Sequence, residues 1–130
     1  MALSPEVKHA VDSLVEAFNR GQPEAVDSLV ASTDAVLGIG SDPDEWWAGR
    51  DRLLAVQKAQ VQEMGGAHWE LSQATGGERW MAAKCTVTTP DGTRVPGRLT
   101  VVCTKDGKIE HYHFSIGVPN EDAIRQKLTI

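Results

Sequence analysis

The chain has 130 residues, of which 41% are apolar and 24% charged, and its formal net charge is −5. This length suits one domain with its own core, so we expect residues 1–130 to form a single domain, and the composition argues against disorder, collagen-like repeats and coiled coil. The basic residues are scattered rather than clustered, which argues against a nucleic-acid surface.

The sequence also lacks the signals that direct a chain into or across a membrane. No apolar run approaches the roughly 20 residues that a membrane span requires, and no basic stretch followed by a hydrophobic core stands at the N-terminus. Cys85 and Cys103 lie in strand-like runs of a chain too large to depend on a disulfide, so we expect free, buried thiols. These features predict a cytoplasmic protein without a membrane partner.

The first predicted element is an amphipathic helix. Ser4 suits the N-cap, Pro5 suits the first helical position, and Gly21 suits a left-handed C-terminal exit. Between them, apolar residues recur at helical spacing and define one stripe to bury, formed by Val7, Val11, Leu14, Val15 and Phe18.

Two further helices and one strand follow. Pro23 opens a short helix over 23–30, and residues 34–40 have the apolar, partly β-branched character of a strand. Residues 41–45 form an acidic turn around Pro43. After Trp46, Trp47 and Gly49, the apolar spacing predicts a helix over 51–64 that ends at Gly65-Gly66.

From Ala67 onward the apolar period is two, which is typical of strands. Turn signals at Gly76-Gly77, Asp91-Gly92 and Asp106-Gly107 divide this part into four strands of a meander. The pair Pro96-Gly97 predicts a bulge or bend in the strand that contains it. Asn120 can cap a short terminal helix over 120–128. Helices followed by an antiparallel sheet predict an α+β fold.

The last hairpin assigns its side chains to two faces. If Asp106-Gly107 is the centre of a two-residue turn, residues whose numbers sum to 213 lie opposite each other. The face expected to meet the helices is then apolar and aromatic, with Leu99, Val101, Cys103, Tyr112, Phe114 and Ile116. The opposite face, left for solvent or a second subunit, carries Arg98, Thr100, His111, His113 and Ser115.

Two runs of the sequence resemble known families. The run GIGSDPDEWWAG from Gly38 to Gly49, followed by a helix, resembles the SnoaL-like group of the nuclear transport factor 2-like superfamily, to which ketosteroid isomerase-like proteins belong. The element order agrees over essentially the whole chain. The run DGKIEHYHFS from Asp106 to Ser115 is also similar to the last strand of the association domain of calmodulin-dependent kinase.

The resemblance implies a conical, strongly curved antiparallel sheet packed on three N-terminal helices, with a cavity beneath them and homodimers formed through the outer sheet face. It implies a domain that binds a small apolar or amphipathic ligand, or a cofactor-independent isomerase, cyclase or dehydratase. The alternative is a non-enzymatic dimerisation or assembly domain.

The sequence also departs from this family's patterns. Its isomerases and cyclases are expected to carry a carboxylic acid inside the cone, and the predicted inner face offers none apart from Glu110. Association domains place arginines in the equivalent pocket, whereas Phe114 and Thr100 stand near those places here.

Six residues are the predicted pocket lining. Tyr112 ranks first, because its phenol combines an apolar wall with a single hydrogen bond. An indole after the acidic turn can close the pocket mouth, although Trp69 or Trp80 could have the same role. The predicted lining is Tyr112, Phe114, Trp47, Leu99, Val101 and Phe18.

The candidates for catalysis are Tyr112, His113 and Asp42. His113 would face the interior only if the register slipped by one residue, and Arg98 would then stand nearby as an oxyanion partner. Asp42 suits a turn better than catalysis. His111 and His113 lack an evident third metal ligand, so we predict no metal site and expect them at an interface or bonded to nearby hydroxyls.

Overall fold

The computed structural model describes residues 3–64 and 66–117. Helix α1 spans Pro5–Arg20, a 3₁₀ helix spans Pro23–Ser28, and helix α2 spans Arg50–Glu63. The strands are β1 (Leu37–Ile39), β2 (Trp46–Ala48), β3 (His68–Gly76), β4 (Trp80–Thr88), β5 (Arg94–Cys103) and β6 (Ile109–Ile116). The predicted α+β fold, with N-terminal helices packed on a curved, open sheet, is confirmed. The predicted terminal helix over 120–128 lies outside the described residues.

The strands form one six-stranded sheet in the order β2-β1-β6-β5-β4-β3. The predicted antiparallel arrangement holds for every ladder except β1 with β6, which is parallel. Strand β2 was not predicted, because three residues are too few to display a period of two. It pairs with β1 beyond the acidic turn, where Gly40 N–H donates to the Glu45 carbonyl at 2.9 Å.

Helix α1 has the predicted start and end. Ser4 Oγ accepts a hydrogen bond from Val7 N–H at 3.3 Å, and Gly21 adopts the left-handed conformation with φ of 61°. Its apolar stripe covers the sheet, and Asn19 near its end fastens the edge strand β3. The Asn19 side chain accepts from Trp69 N–H at 2.6 Å and donates to the Trp69 carbonyl at 3.1 Å. These two bonds satisfy backbone groups that an edge strand otherwise leaves free.

The last hairpin has the predicted face assignment but a different turn. The opposed pairs run regularly from Arg98 with Ser115 to Val102 with His111, whereas Cys103 lies opposite Ile109 instead of Glu110. The turn has three residues rather than two, since Gly107 N–H donates to Thr104 O and Gly107 has φ of 84°. Glu110 is the extra residue that restores the register.

Of the bulge or bend predicted at Pro96-Gly97, the bulge is wrong, because β4 and β5 pair in an unbroken register through both residues. Pro96 lies where β5 extends beyond its ladder with β6, so its missing N–H disrupts less pairing. A side chain at Gly97 would lie 2.9 Å from Cys85 Sγ, so close packing explains the glycine. The register instead shifts between Ser72 and Thr75 of β3 and at the end of β5.

Candidate functional site

The concave face of the sheet carries the candidate site. Tyr112 on β6 lies between Val101 on β5 and Gly38 on β1, and Gly38 in turn pairs with Trp47 on β2. All six predicted lining residues are at most 7% exposed and belong to one apolar cluster. The structure therefore brings together Tyr112, Phe114, Trp47, Leu99, Val101 and Phe18.

Helix α2 covers this face at Gly38. A Cβ placed on Gly38 would overlap Leu53 Cδ1 and would lie 3.1 Å from Trp47 Cε3. The missing side chain lets Leu53 pack directly on the sheet beside Tyr112. Gln57 follows one helical turn later on the same side of α2 and is fully buried.

An aromatic stack fills one side of the interior. Phe18 on α1 stacks on Trp69 with ring centroids 4.2 Å apart, and Trp69 lies 4.3 Å from Phe114. Phe114 is in turn 6.5 Å from Tyr112. Helix α1 and strands β3 and β6 are thus joined through their rings, and Trp69, rather than Trp80, is the buried indole of this region.

Three interior side chains have polar atoms without a hydrogen-bond partner. They are the Tyr112 hydroxyl, the Trp69 indole N–H, and both the nitrogen and the oxygen of the Gln57 amide. Tyr112 and Gln57 are 0% exposed and Trp69 is 3% exposed. Buried polar groups are nearly always hydrogen-bonded in folded proteins, so these three side chains are exceptional among the described interior residues.

The electrostatics of the interior favour neutral groups. Desolvation by burial, followed by the nearby Cys85, raises the pKa of Tyr112 far above its usual range, so the phenol is a hydrogen-bond donor at neutral pH. Among the described residues, Gln57 is the sole buried side chain of polar or charged type apart from the aromatic and thiol groups. The carboxylic acid that the resemblance implied is not among the buried side chains of the described residues.

Glu110, the inner-face carboxylate named as an exception, does not enter the interior. It is the extra residue of the last hairpin, and its side chain remains 32% exposed. Its carboxylate accepts from the Arg79 guanidinium at 3.1 Å. Glu110 therefore forms a partly exposed ion pair with Arg79.

The two histidines face away from the helices. His113 lies opposite Thr100 and His111 opposite Val102, so the register slip that would have turned His113 inward does not occur. His113 borders an outer concavity of about 420 Å³ together with Arg98, Thr100 and Ser115. Burial, and then the neighbouring His113, lower the pKa of His111. In residues 3–64 and 66–117 no cluster of three or more His, Cys, Asp or Glu side chains could hold a metal ion.

Asp42 lies in the exposed turn between β1 and β2, outside the interior. Its N–H donates to the Glu45 carboxylate at 2.8 Å, and its own carboxylate accepts from Asp44 N–H at 3.2 Å. Both contacts are local to the turn. Of the three catalytic candidates, the structure thus places Tyr112 in the interior and the side chains of His113 and Asp42 outside it.

The sequence reasoning did not identify Gln57. A signal existed, because Gln57 lies four residues after Leu53 and four before Val61, and both are buried. A glutamine on an apolar stripe marks a buried polar group. The sequence also indicated that Trp69 is a buried tryptophan. Its neighbours on the same strand face, Ala67 and Leu71, are apolar, whereas His68, Glu70 and Ser72 on the other face are polar.

Comparison with known families identifies the fold. A model of the SnoaL-like domain matches residues 7–119. The chain therefore belongs to the SnoaL-like family, as its motifs suggested. No curated protein matches the chain.

Solved structures support the same fold. A nuclear transport factor 2-like protein of unknown function from Mesorhizobium loti superposes with a TM-score of 0.71 at 18% identity, over 91% of this chain and 96% of that one. A candidate isomerase of the SnoaL-like family from Agrobacterium tumefaciens superposes with a TM-score of 0.68 at 16% identity, over 88% of this chain and 100% of that one. A designed protein with a curved β-sheet gives 0.71 at 12% identity, over 98% of each chain. At these identities the likeness concerns the fold alone.

No helix in the described ranges is both long and apolar enough to cross a membrane.

Proposed function

We propose that this chain binds a small apolar or amphipathic molecule in the concave interior, between α2 and the face of the sheet that carries Tyr112. The observation that supports this proposal is the set of unpartnered polar groups on Tyr112, Gln57 and Trp69. Each unmet hydrogen bond costs about 1–3 kcal/mol, and a bound molecule would recover that cost. The apolar walls would supply the rest of the binding free energy.

Binding is better supported than acid–base catalysis. An isomerase, cyclase or dehydratase of this kind needs a group that exchanges a proton near neutral pH. Within the described interior, the ionisable groups are Tyr112 and the thiols of Cys85 and Cys103, and burial raises the pKa of all three. His113 and Asp42 lie elsewhere, so neither supports chemistry on an interior ligand.

The test combines a search for a co-purified molecule with mapping of a probe. Native mass spectrometry of freshly purified protein should show an added small molecule. Titration with the neutral dye N-phenyl-1-naphthylamine should shift the NMR signals of the Gln57 amide and the Tyr112 and Trp69 rings. Signal changes confined to Trp46 and Trp80 on the outer surface would contradict interior binding.

We also propose that the chain forms a homodimer through the outer face of the sheet. Leu37 and Ile39 lie there beside the histidines, since each pairs in register with His111 or His113. Trp46 and Trp80, at opposite sides of this face, are 59% and 44% exposed. Two rows cross the strands of this face and mix apolar with polar side chains. One row is Trp80, Val102, His111, Leu37 and Ala48, and the other is Ala82, Thr100, His113, Ile39 and Trp46.

A patch of this composition is typical of a subunit interface. Light scattering coupled to gel filtration should give twice the monomer mass for the wild-type chain. Ile39→Lys should give the monomer, because it replaces an apolar side chain between His113 and Trp46 with a charge. Ser32→Lys adds the same charge at an exposed loop and should leave the dimer intact. A wild-type monomer at all concentrations would contradict this proposal without affecting interior binding.

A further inference from the structure

We infer that the interior ligand is neutral and carries a hydrogen-bond donor beside an acceptor, as in a carboxamide or lactam, and that Gln57 and Tyr112 bind this group. The inference rests on the proposed function, since it specifies the molecule that the interior binds. It follows from the chemistry of the two side chains and from the absence of charge around them.

Gln57 determines the donor–acceptor requirement. Its amide has an N–H donor and a carbonyl acceptor side by side, and in this structure neither makes a hydrogen bond. A ligand with an acceptor alone would leave the Gln57 oxygen unmet, and a ligand with a donor alone would leave its nitrogen unmet. A second amide satisfies both at once through two parallel hydrogen bonds.

Tyr112 supplies a further donor to the same region. Leu53, one turn before Gln57, packs on Gly38, and Gly38 is the strand neighbour of Tyr112. Gln57 therefore lies on the side of α2 that faces β1, and β1 is the strand next to Tyr112. A carbonyl oxygen has two lone pairs, so it can accept from Gln57 and from the Tyr112 hydroxyl together. The Trp69 indole N–H is a third unpartnered donor, on the side of the aromatic stack.

The charge of the interior excludes an ionic ligand. Among the described residues, no Asp, Glu, Lys, Arg or His side chain is buried. A carboxylate or ammonium in this place would lack a counter-charge, and burial of an unpaired ion costs far more than burial of an amide. The ligand class is therefore neutral as well as amide-like.

The experiment uses four compounds of nearly the same bicyclic shape, titrated into the full chain and followed by NMR. 2-Quinolinone has a lactam N–H and C=O, coumarin has a lactone with acceptors alone, naphthalene has neither, and 2-naphthoate is an anion. We expect 2-quinolinone to bind at least about tenfold more tightly than coumarin, because coumarin leaves one buried atom of Gln57 unmet. Naphthalene should bind more weakly than 2-quinolinone, and 2-naphthoate weakest of all.

Variants test the roles of the two residues. Gln57→Leu should abolish the preference for 2-quinolinone over coumarin, and the fold should survive because a buried amide without partners is replaced by an apolar group of similar size. Gln57→Met is the second variant. Tyr112→Phe should weaken 2-quinolinone and coumarin alike and leave naphthalene unchanged. Gln62→Leu, at an exposed position of α2, is the matched control and should change nothing.

The outcomes separate this inference from the proposed function. Equal affinities for 2-quinolinone, coumarin and naphthalene at the interior would overturn the inference and leave interior binding intact. A preference for 2-quinolinone that persists in Gln57→Leu and Gln57→Met would overturn the role of Gln57. If none of the four compounds shifts an interior signal up to its solubility limit, both the inference and the proposed function fail.

Discussion

Trp69 on β3 and Phe114 on β6 have ring centroids 4.3 Å apart, although β4 and β5 lie between their strands in the sheet. In a flat sheet three strand spacings would separate β3 and β6 by about 14 Å. The two rings meet because the sheet curves and both side chains lean over its concave face. The register shift between Ser72 and Thr75, with Gln73 at φ of 51°, lies in the same strand as Trp69 and adds to the bend.

This stack predicts a large stability cost for its removal. Trp69→Ala should lower the free energy of unfolding by about 3–5 kcal/mol, because it empties the space between Phe18 and Phe114. Urea denaturation followed by circular dichroism measures the change. His68→Ala, at an exposed position of the same strand, is the control and should cost less than about 1 kcal/mol. Similar losses in both variants would contradict the structural role given to the stack.

The last hairpin shows how a correct face assignment followed from a turn that was partly wrong. In a hairpin with a two-residue turn at Asp106-Gly107, the numbers of opposed residues sum to 213. In the three-residue turn that the structure has, they sum to 212. The extra residue Glu110 compensates, so Tyr112 and Phe114 face inward as expected. The apolar alternation of the strands fixed the faces, because one buried face cannot tolerate a slip.

Other features could not be read from local patterns. Strand β2 has three residues and forms only because β1 lies beside it. The parallel pairing of β1 with β6 joins segments about 70 residues apart, and neither segment encodes its partner. The link between Asn19 and Trp69 is likewise a tertiary contact between distant segments. Periodicity predicts elements and faces, but these contacts depend on how the elements pack.

Gly38 allows α2 to approach the sheet, so a side chain there should be costly. Gly38→Ala should destabilise the fold by about 1–3 kcal/mol, because its Cβ would overlap Leu53. The double variant with Leu53→Ala should cost less than the sum of the two single variants, which a double-mutant cycle in urea can measure. Gly117→Ala is the matched control, since a Cβ there meets nothing within 4 Å. Strict additivity of the two changes would contradict the contact.

The buried cysteines should be inert while the protein is folded. Burial raises the pKa of Cys85 and of Cys103 to about 11, so at pH 8 almost no thiolate forms, and both thiols are free. Labelling with a thiol-specific reagent should be at least about a hundredfold slower in the native protein than in urea. Ser32→Cys, at an exposed position, should add one thiol that reacts at once. Rapid native labelling of either natural cysteine would contradict its burial.

Two hairpin turns should make stability depend on acid. Hydrogen bonds from the Thr89 and Thr104 hydroxyls lower the pKa of Asp91 and of Asp106, respectively, below the usual value. A carboxyl with a lowered folded pKa stabilises the protein above its unfolded pKa, about 3.9, and this contribution is lost as the pH falls through the folded pKa. Each turn should therefore lose its contribution below about pH 4.

The measurement is urea denaturation from pH 7 to pH 2 with Thr89→Val and Thr104→Val. Each variant should have a lower free energy of unfolding than the wild type at pH 7. This difference should become smaller below about pH 4, because the aspartate is then protonated and the wild type loses the stabilisation of the ionised carboxylate by the threonine hydroxyl. Thr88→Val, in strand β4, should show no such convergence. A gap of constant size across the whole range would mean that these hydrogen bonds do not shift the aspartate pKa values.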